Sequence, residues 1–207
     1  MIETLKLYLI RHAPVKKFEG YIPKKNPNAV INFEQLKRIA AYIPSDSTCY
    51  VSPLKRAKQT AKALSKYVEF RKIIVEKKLV EQNFGEWEGK KISRVWDELK
   101  KLKNKHNFSF ICPETKPPKG DSFLDQCKRT SAFIENLNFN DYKSLVIIAH
   151  SGTIRALLSH VLGMDPNIAI GIKISYLSLT TFEVLKKTNL KNSGGRYRLL
   201  NINHKIT

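Results

Sequence analysis

Cysteine is scarce in this chain of 207 residues, which carries only Cys49, Cys112 and Cys127. The count is odd, the spacing is wide and no CxxC pair occurs, so the cysteines predict neither a disulfide framework nor a zinc site. No apolar run approaches the ~20 residues of a membrane span, and no long hydrophobic signal region precedes the first predicted strand. We therefore expect a cytoplasmic protein with reduced thiols and no membrane partner.

Acidic residues are also few, because 18 Asp and Glu stand against 37 Lys and Arg, a formal net charge of +19. Such an excess attracts nucleic acid, an acidic membrane surface or an anionic substrate. The lysines, however, are spread from Lys6 to Lys205 rather than gathered in one tract. This pattern is typical of a solvated lysine-rich surface and does not favour a nucleic-acid partner. The field should still draw phosphate-bearing ligands toward the protein.

Internal repeats, low-complexity linkers and sustained heptads are absent too, so the length and the 42% hydrophobic content predict a single domain over residues 1–207. Short apolar runs alternate with amphipathic segments, which indicates an α/β fold with a mostly parallel central sheet. Between about 84 and 120 the pattern weakens and prolines accumulate, and we interpret this segment as a lid-like insertion. Two β-rich runs at 174–184 and 197–202 predict a terminal hairpin whose exposed edge could serve a homodimer.

Local signals place helix ends near the predicted strands. Asn32, followed by Gln35, resembles a capping box that begins the first crossover helix. Ser52 is a plausible N-cap for the second helix, with Pro53 in its first turn. Arg56 then lies in the first turn of that helix, where its charge opposes the helix dipole. A bound anion nearby would explain a cation at that position.

Two apolar runs end abruptly in histidine. The run Leu7–Ile10 is followed by Arg11 and His12, and the run Leu145–Ala149 by His150. Parallel strands deliver the side chains that follow them to one edge of a sheet. Two imidazoles at two strand ends therefore suggest one site.

The candidate site consists of Arg11, His12, Arg56, Glu81 and His150. Phosphoryl transfer needs a nucleophile, positive donors for the non-bridging oxygens and a proton source for the departing oxygen, and these side chains supply every part. A neutral imidazole can attack phosphorus directly, so the chemistry requires neither a metal nor another cofactor. Arginine suits the phosphate pocket because its planar fork binds two phosphate oxygens at once.

At this point the chain resembles the histidine phosphatase superfamily, also called the phosphoglycerate mutase-like family. The resemblance rests on four blocks in order: Arg11-His12, Ser52–Ala61, Leu79–Gly89 and His150–Arg155. It implies a three-layer α/β/α sandwich. It also implies that His12 is phosphorylated, that Arg11, Arg56 and a protonated His150 form the phosphate pocket, and that Glu81 is the general acid and base.

Some positions depart from the family pattern. Ala13 replaces the usual glycine, and the acidic and asparagine residues that mutases place next are missing. The run Pro117–Phe123 is similar to a segment of small phosphatases related to α-ribazole phosphatase. The sequence thus favours a metal-independent phosphatase of a small phosphorylated metabolite, with α-ribazole phosphate as one candidate. The alternatives are a bisphosphoglycerate-dependent phosphoglycerate mutase and, from another class, a basic polyanion-binding module without catalysis.

Overall fold

The computed structural model describes residues 3–16, 19–24, 26–100, 106–109, 111–186 and 195–206. Six strands of these residues form one sheet: β1 (Thr4–Arg11), β2 (Ser47–Val51), β3 (Phe70–Val75), β4 (Ser144–Ala149), β5 (Leu179–Leu185) and β6 (Tyr197–His204). Their order across the sheet is β3-β2-β4-β1-β5-β6. The first four run parallel, whereas β5 and β6 are antiparallel to their neighbours. The predicted, mostly parallel sheet is confirmed, with an antiparallel pair at one edge.

Helices cover both faces of this sheet. They are α1 (Phe33–Ala40), α2 (Lys55–Leu64), α3 (Ile92–Leu99), α4 (Phe123–Glu135), α5 (Ser151–Val161) and the single turn α6 (Pro166–Ala169). Successive side chains of a strand point to opposite faces. Tyr8 and Ile10 therefore pack with α1 and α2, while Leu7 and Leu9 pack with α4 and α5. The result is the three-layer α/β/α sandwich that the resemblance implies.

Of the two helix starts predicted near the site, one is confirmed and the other is wrong. Asn32 is the N-cap of α1, and its side chain accepts the Gln35 N–H at 3.1 Å. The prediction for α2 is wrong, because that helix begins at Lys55 and Leu54 occupies the cap position without a side-chain hydrogen bond. Ser52 lies two residues before Leu54, and its hydroxyl accepts the Leu54 N–H at 3.4 Å and contacts His150 Nε2 at 2.7 Å.

The segment 84–120 has a small apolar cluster of its own. Trp87, Val95, Leu99 and Ile111 are buried together with Ile22, which lies in the loop after β1. The lysine-rich sequence around Ile92 to Leu102 predicts a helix, but α3 ends at Leu99, and residues 101–105 lie outside the described part of the chain. This segment therefore packs against the β1–α1 loop.

The C-terminal strands pair as predicted. β5 and β6 are antiparallel, with Phe182 opposite Leu199. The sequence Asn192-Ser193-Gly194-Gly195 predicts the turn between them, and residues 187–194 lie outside the described part of the chain. Within the described ranges, no helix has both the length and the hydropathy to cross a membrane, and no group of three or more His, Cys, Asp or Glu side chains is arranged to hold a metal ion.

Candidate active site

Three adjacent strands, β2, β4 and β1, end side by side and bring the site together. Arg11, the last residue of β1, is in register with Ala149, the last residue of β4. The backbone N–H of His12 donates to the Ala149 carbonyl at 2.9 Å. The imidazole centroids of His12 and His150 consequently lie 5.0 Å apart. The structure thus places the two strand-end histidines in one site.

Hydrogen bonds fix the tautomer of His12, which is only 4% exposed. Its Nδ1 lies 2.7 Å from the Ala13 carbonyl oxygen, and a carbonyl can only accept, so Nδ1 carries the hydrogen. Nε2 then has a free electron pair, and it accepts a hydrogen bond from Arg56 Nε at 3.0 Å. The nitrogen that faces Arg56 is therefore the one with the available electron pair.

Burial keeps both imidazoles neutral. Desolvation, followed by the neighbouring His150, lowers the pKa of His12 to about 2, with Arg56 and Arg11 acting in the same direction. Desolvation, then Arg56 and Arg11, lowers the pKa of His150 well below its usual value near 6.5. Two guanidinium groups and a dry environment thus disfavour the protonated form of His150 that is expected from the sequence.

His150 is held by Ser52, the residue that follows β2. Its Nε2 lies 2.7 Å from the hydroxyl oxygen of Ser52, and its Nδ1 is buried without a hydrogen-bond partner among the described residues. A serine hydroxyl that donates to Nε2 leaves the hydrogen of a neutral imidazole on Nδ1. This arrangement makes Nδ1 a buried donor with no acceptor in the described part of the protein.

The two arginines of the predicted pocket are positioned by different elements. Arg56 lies in the first turn of α2 and is 8% exposed. Arg11 donates from Nη1 to the Ile174 carbonyl at 2.6 Å, and its guanidinium carbon lies 3.7 Å from the centroid of the Tyr176 ring. Burial lowers the pKa of both guanidinium groups, while the charge of Glu81 opposes that shift. Both remain cations at neutral pH.

Glu81 reaches the site from the loop after β3. Its Oε2 accepts the backbone N–H of Gly152 at 3.2 Å, and its Oε1 accepts Nε2 of Gln126 at 2.9 Å. A Cβ at position 152 would collide with Glu81 Oε1 and would lie 2.7 Å from Gln126 Oε1. The carboxylate can approach the start of α5 this closely only because residue 152 is glycine.

A cavity of about 530 Å³ opens over these residues. Arg11, His12, Arg56 and Glu81 all line it, together with Tyr176. His150 does not line it, since the residue is 0% exposed and lies behind His12. Four of the five predicted residues thus face one cavity, and the fifth supports it from the interior.

Sequence reasoning missed Ser52, Gln126 and Tyr176 as parts of the site. Ser52 follows a strand end, as the two histidines do, so the same argument could have found it. Gln126 is a polar residue that is 0% exposed on α4, and its position among apolar residues was the available signal. Nothing local marks Tyr176, whose role depends on how the loop before β5 folds over Arg11.

Comparison with known proteins agrees with this geometry. A sequence model of the histidine phosphatase superfamily (branch 1) matches residues 7–193. A protein of Hydrogenobacter thermophilus with the provisional name phosphoserine phosphatase 2 is 28% identical over 165 residues, which cover 77% of this chain and 79% of that protein.

Solved structures share the fold. Mycobacterial glucosyl-3-phosphoglycerate phosphatase has a TM-score of 0.77 at 17% identity, over 98% of this chain and 100% of that chain. The α-ribazole phosphatase of Shigella flexneri has a TM-score of 0.74 at 20% identity, over 97% of each chain. The similarity extends over nearly the whole chain rather than over the site alone.

Proposed function

The chain belongs to the histidine phosphatase superfamily, branch 1, and is a phosphatase enzyme; we propose that it hydrolyses a phosphomonoester through a phosphohistidine on His12, without a metal ion. The observation that carries this proposal is the environment of His12 Nε2. This nitrogen is unprotonated, faces the cavity that Arg11, Arg56 and Glu81 also line, and accepts a hydrogen bond from Arg56. A neutral imidazole beside two fixed cations is suited to attack a dianionic phosphate.

In the proposed first step, the phosphate enters the cavity and takes over the hydrogen bond that Arg56 makes to His12. The Nε2 electron pair then forms a bond to phosphorus while the ester P–O bond breaks. Arg11 and Arg56 hold the non-bridging oxygens, and stacking on Tyr176 restricts Arg11 to one orientation. The backbone carbonyl of Ala13 stabilises the imidazolium that develops on the phosphorylated ring.

We assign a neutral form of His150 to phosphate binding. Its Nδ1–H has no partner among the described residues, so an oxygen that reaches it would satisfy a buried donor. The ring is fully buried, and its centroid lies 5.0 Å from that of His12. Ser52 holds the ring in the tautomer that donates.

Glu81 is the proposed proton donor for the alcohol that leaves. It lines the cavity with the nucleophile, whereas Glu86 pairs with Lys119 at 2.8 Å on the surface. After the alcohol departs, the Glu81 carboxylate takes a proton from water as the water oxygen attacks phospho-His12. The products are the alcohol and inorganic phosphate, and His12 returns to its neutral form.

The rest of the cavity favours an alcohol with an apolar body. Six apolar side chains from the β1–α1 loop and the segment 84–120 line it: Tyr21, Ile22, Phe84, Ile92, Phe108 and Ile111. We propose that segment 84–120 acts as a lid that contacts the alcohol.

Turnover of p-nitrophenyl phosphate in the presence of EDTA tests the reaction. We expect hydrolysis by the wild-type protein, a fall of at least about 10³-fold for His12→Ala, and no change for His204→Ala, a histidine that is exposed on β6. If chelator abolishes activity and added metal restores it, the metal-independent reaction is wrong. Isomerisation of phosphoglycerates at a rate above that of hydrolysis would identify a mutase.

A matched pair of alkyl esters tests the substrate class. The relatives' names point to phosphoserine, glucosyl-3-phosphoglycerate and α-ribazole phosphate, which share the phosphate but differ in the alcohol. We expect kcat/KM for 2-phenylethyl phosphate to exceed that for phosphoserine by about tenfold or more, since burying a phenyl group contributes favourable binding energy. A preference for phosphoserine would contradict the apolar assignment. A cytoplasmic location and α-ribazole phosphate as substrate stay predictions.

A further inference from the structure

Two side chains of helix α4, Arg129 and Gln126, hold the loop that carries Glu81. Arg129 donates from Nη2 to the Val80 carbonyl at 3.1 Å and from Nη1 to Asp121 at 3.1 Å. One turn before it, Gln126 donates from Nε2 to Glu81 Oε1 at 2.9 Å. Arg129 thus fixes the backbone next to Glu81, and Gln126 contacts the carboxylate itself.

The hydrogen bonds of Gln126 are unevenly distributed. Its Nε2 lies within reach of three acceptors, because Thr153 Oγ1 is at 3.0 Å and the Val80 carbonyl at 3.4 Å in addition to Glu81. Its Oε1 is buried and has no partner among the described residues. An unpaired buried acceptor is costly, so its retention at a fully buried position requires a reason.

We propose that Gln126 is a positioning residue for Glu81 that supports both protonation states of the carboxyl group. When Glu81 is a carboxylate, the amide N–H donates to it, as the structure shows. When Glu81 is an acid, a half-turn of the amide exchanges Nε2 and Oε1, and Oε1 accepts the O–H of Glu81. The inference rests on the proposed role of Glu81 in proton transfer.

Thr153 makes the second arrangement possible. Its hydroxyl both accepts from Gln126 Nε2 and lies 3.3 Å from the Leu79 carbonyl. A hydroxyl can rotate, so Thr153 can donate to Oε1 once the amide has turned. Gly152 N–H continues to hold Oε2 in both arrangements because it depends on the backbone of α5 alone.

The consequence for the reaction is a carboxyl group that stays in place while its proton moves. In the first step the acid proton goes to the ester oxygen as the P–O bond breaks, and the resulting carboxylate regains the amide N–H. In the second step the carboxylate takes a proton from the attacking water, and the amide turns back. Gln126 does not line the cavity, so it acts through Glu81 and not on the substrate.

The test compares two esters of similar shape with different leaving groups. A nitrophenolate leaves without a proton, whereas the alkoxide of 2-phenylethyl phosphate needs one. We therefore expect Gln126→Leu and Gln126→Met to lower kcat/KM about 10- to 100-fold for 2-phenylethyl phosphate and by less than about threefold for p-nitrophenyl phosphate. The constant kcat/KM includes only the steps up to the departure of the alcohol. Later hydrolysis of the phosphoenzyme therefore does not affect the comparison.

The ratio of the two kcat/KM values is independent of how much of a variant is folded. Thr130→Val is the matched control, since Thr130 is buried one turn further along α4 and, among the residues that the structure describes, its hydroxyl bonds only to helix carbonyls. Its ratio should equal that of the wild type. An unchanged ratio in both Gln126 variants, or an equal change in Thr130→Val, would overturn the inference. Failure of the wild-type protein to form phospho-His12 would instead overturn the proposed function.

Discussion

At the scale of single residues, Arg56 makes two kinds of contact that a lysine at the same position could not make. Its Nε donates to the unprotonated Nε2 of His12, and its planar guanidinium has the shape to bind two phosphate oxygens in a fork. Lysine keeps the charge but presents one point donor on a flexible stem. The position therefore tests whether geometry or charge dominates phosphate binding.

We predict that Arg56→Lys lowers kcat/KM for p-nitrophenyl phosphate by about 10², similar to the loss of one preorganised donor. Arg38→Lys, at an exposed position on α1, is the control and should leave kcat/KM unchanged. Steady-state kinetics of the two variants provides the comparison. Equal activity of Arg56→Lys and the wild type would show that a positive charge alone is sufficient.

Gly152 also determines the geometry of the site, because it has no side chain. It lies in the first turn of α5, where alanine would favour the helix by about 1 kcal/mol. The added Cβ would, however, collide with Glu81 and crowd Gln126. In a Gly152→Ala protein, the higher helix propensity would therefore stabilise α5, whereas the added Cβ would disturb the packing of Glu81.

We predict that Gly152→Ala lowers kcat/KM for an alkyl phosphate by about tenfold or more, because the carboxylate must leave its position. Gly171→Ala is the control, since the nearest atom to its added Cβ is the Ile168 carbonyl at 3.4 Å. Kinetics and thermal denaturation of both variants measure the effect. A fully active Gly152→Ala protein would mean that the position of Glu81 is not critical.

At the scale of secondary-structure elements, the strand ends were predictable and their side-chain partners were not. The residues that follow β1 and β4 could be found from the apolar runs, since parallel strands end at one edge. The start of α2 was wrong by two residues, since Leu54 occupies the cap position while the Ser52 hydroxyl accepts the Leu54 N–H and contacts His150. The role of Gln126 could not be read from α4, because its partner lies 45 residues earlier in the chain.

The charge of His150 could not be predicted from the sequence for a related reason. Whether an imidazole is charged depends on its burial and on the cations around it, and neither is visible in a strand-end motif. The structure supplies both, with His150 at 0% exposure near Arg11 and Arg56. Motif spacing therefore predicted which residues meet, and packing determined how they are charged.

Strand β6 lies at one edge of the sheet and exposes apolar side chains, with Leu199 at 37%, Leu200 at 46% and Ile202 at 39%. An exposed apolar edge strand can pair with a second copy. The homodimer stays a prediction, and we expect Leu200→Lys to shift it toward the monomer. Sedimentation velocity measures this, and a wild-type protein that sediments as a monomer would contradict the prediction.

At the scale of the whole molecule, the buried histidines connect the site to the stability of the fold. The folded state holds the pKa of His12 at about 2, whereas an unfolded histidine titrates near 6.5. Acid therefore protonates the unfolded chain first and favours it. The contribution of His12 to stability is complete above about pH 6.5 and is lost as the pH falls below that value.

We predict that His12 accounts for a fall of about 2 kcal/mol in the free energy of unfolding between pH 7 and pH 5. His12→Gln should lose this part of the pH dependence, while His204→Gln, at an exposed site, should retain it. Urea denaturation across the pH range measures the difference. A His12→Gln protein with the wild-type pH dependence would show that His12 is not held neutral by the fold.

The most direct test of the account is to trap the phosphoenzyme during turnover. Rapid quenching with alkali after mixing with labelled phosphomonoester should yield close to one acid-labile, alkali-stable phosphate per chain, mapped to His12, and none in His12→Ala. A label on another residue, or a His12→Ala protein that hydrolyses the ester at the wild-type rate, would contradict the account.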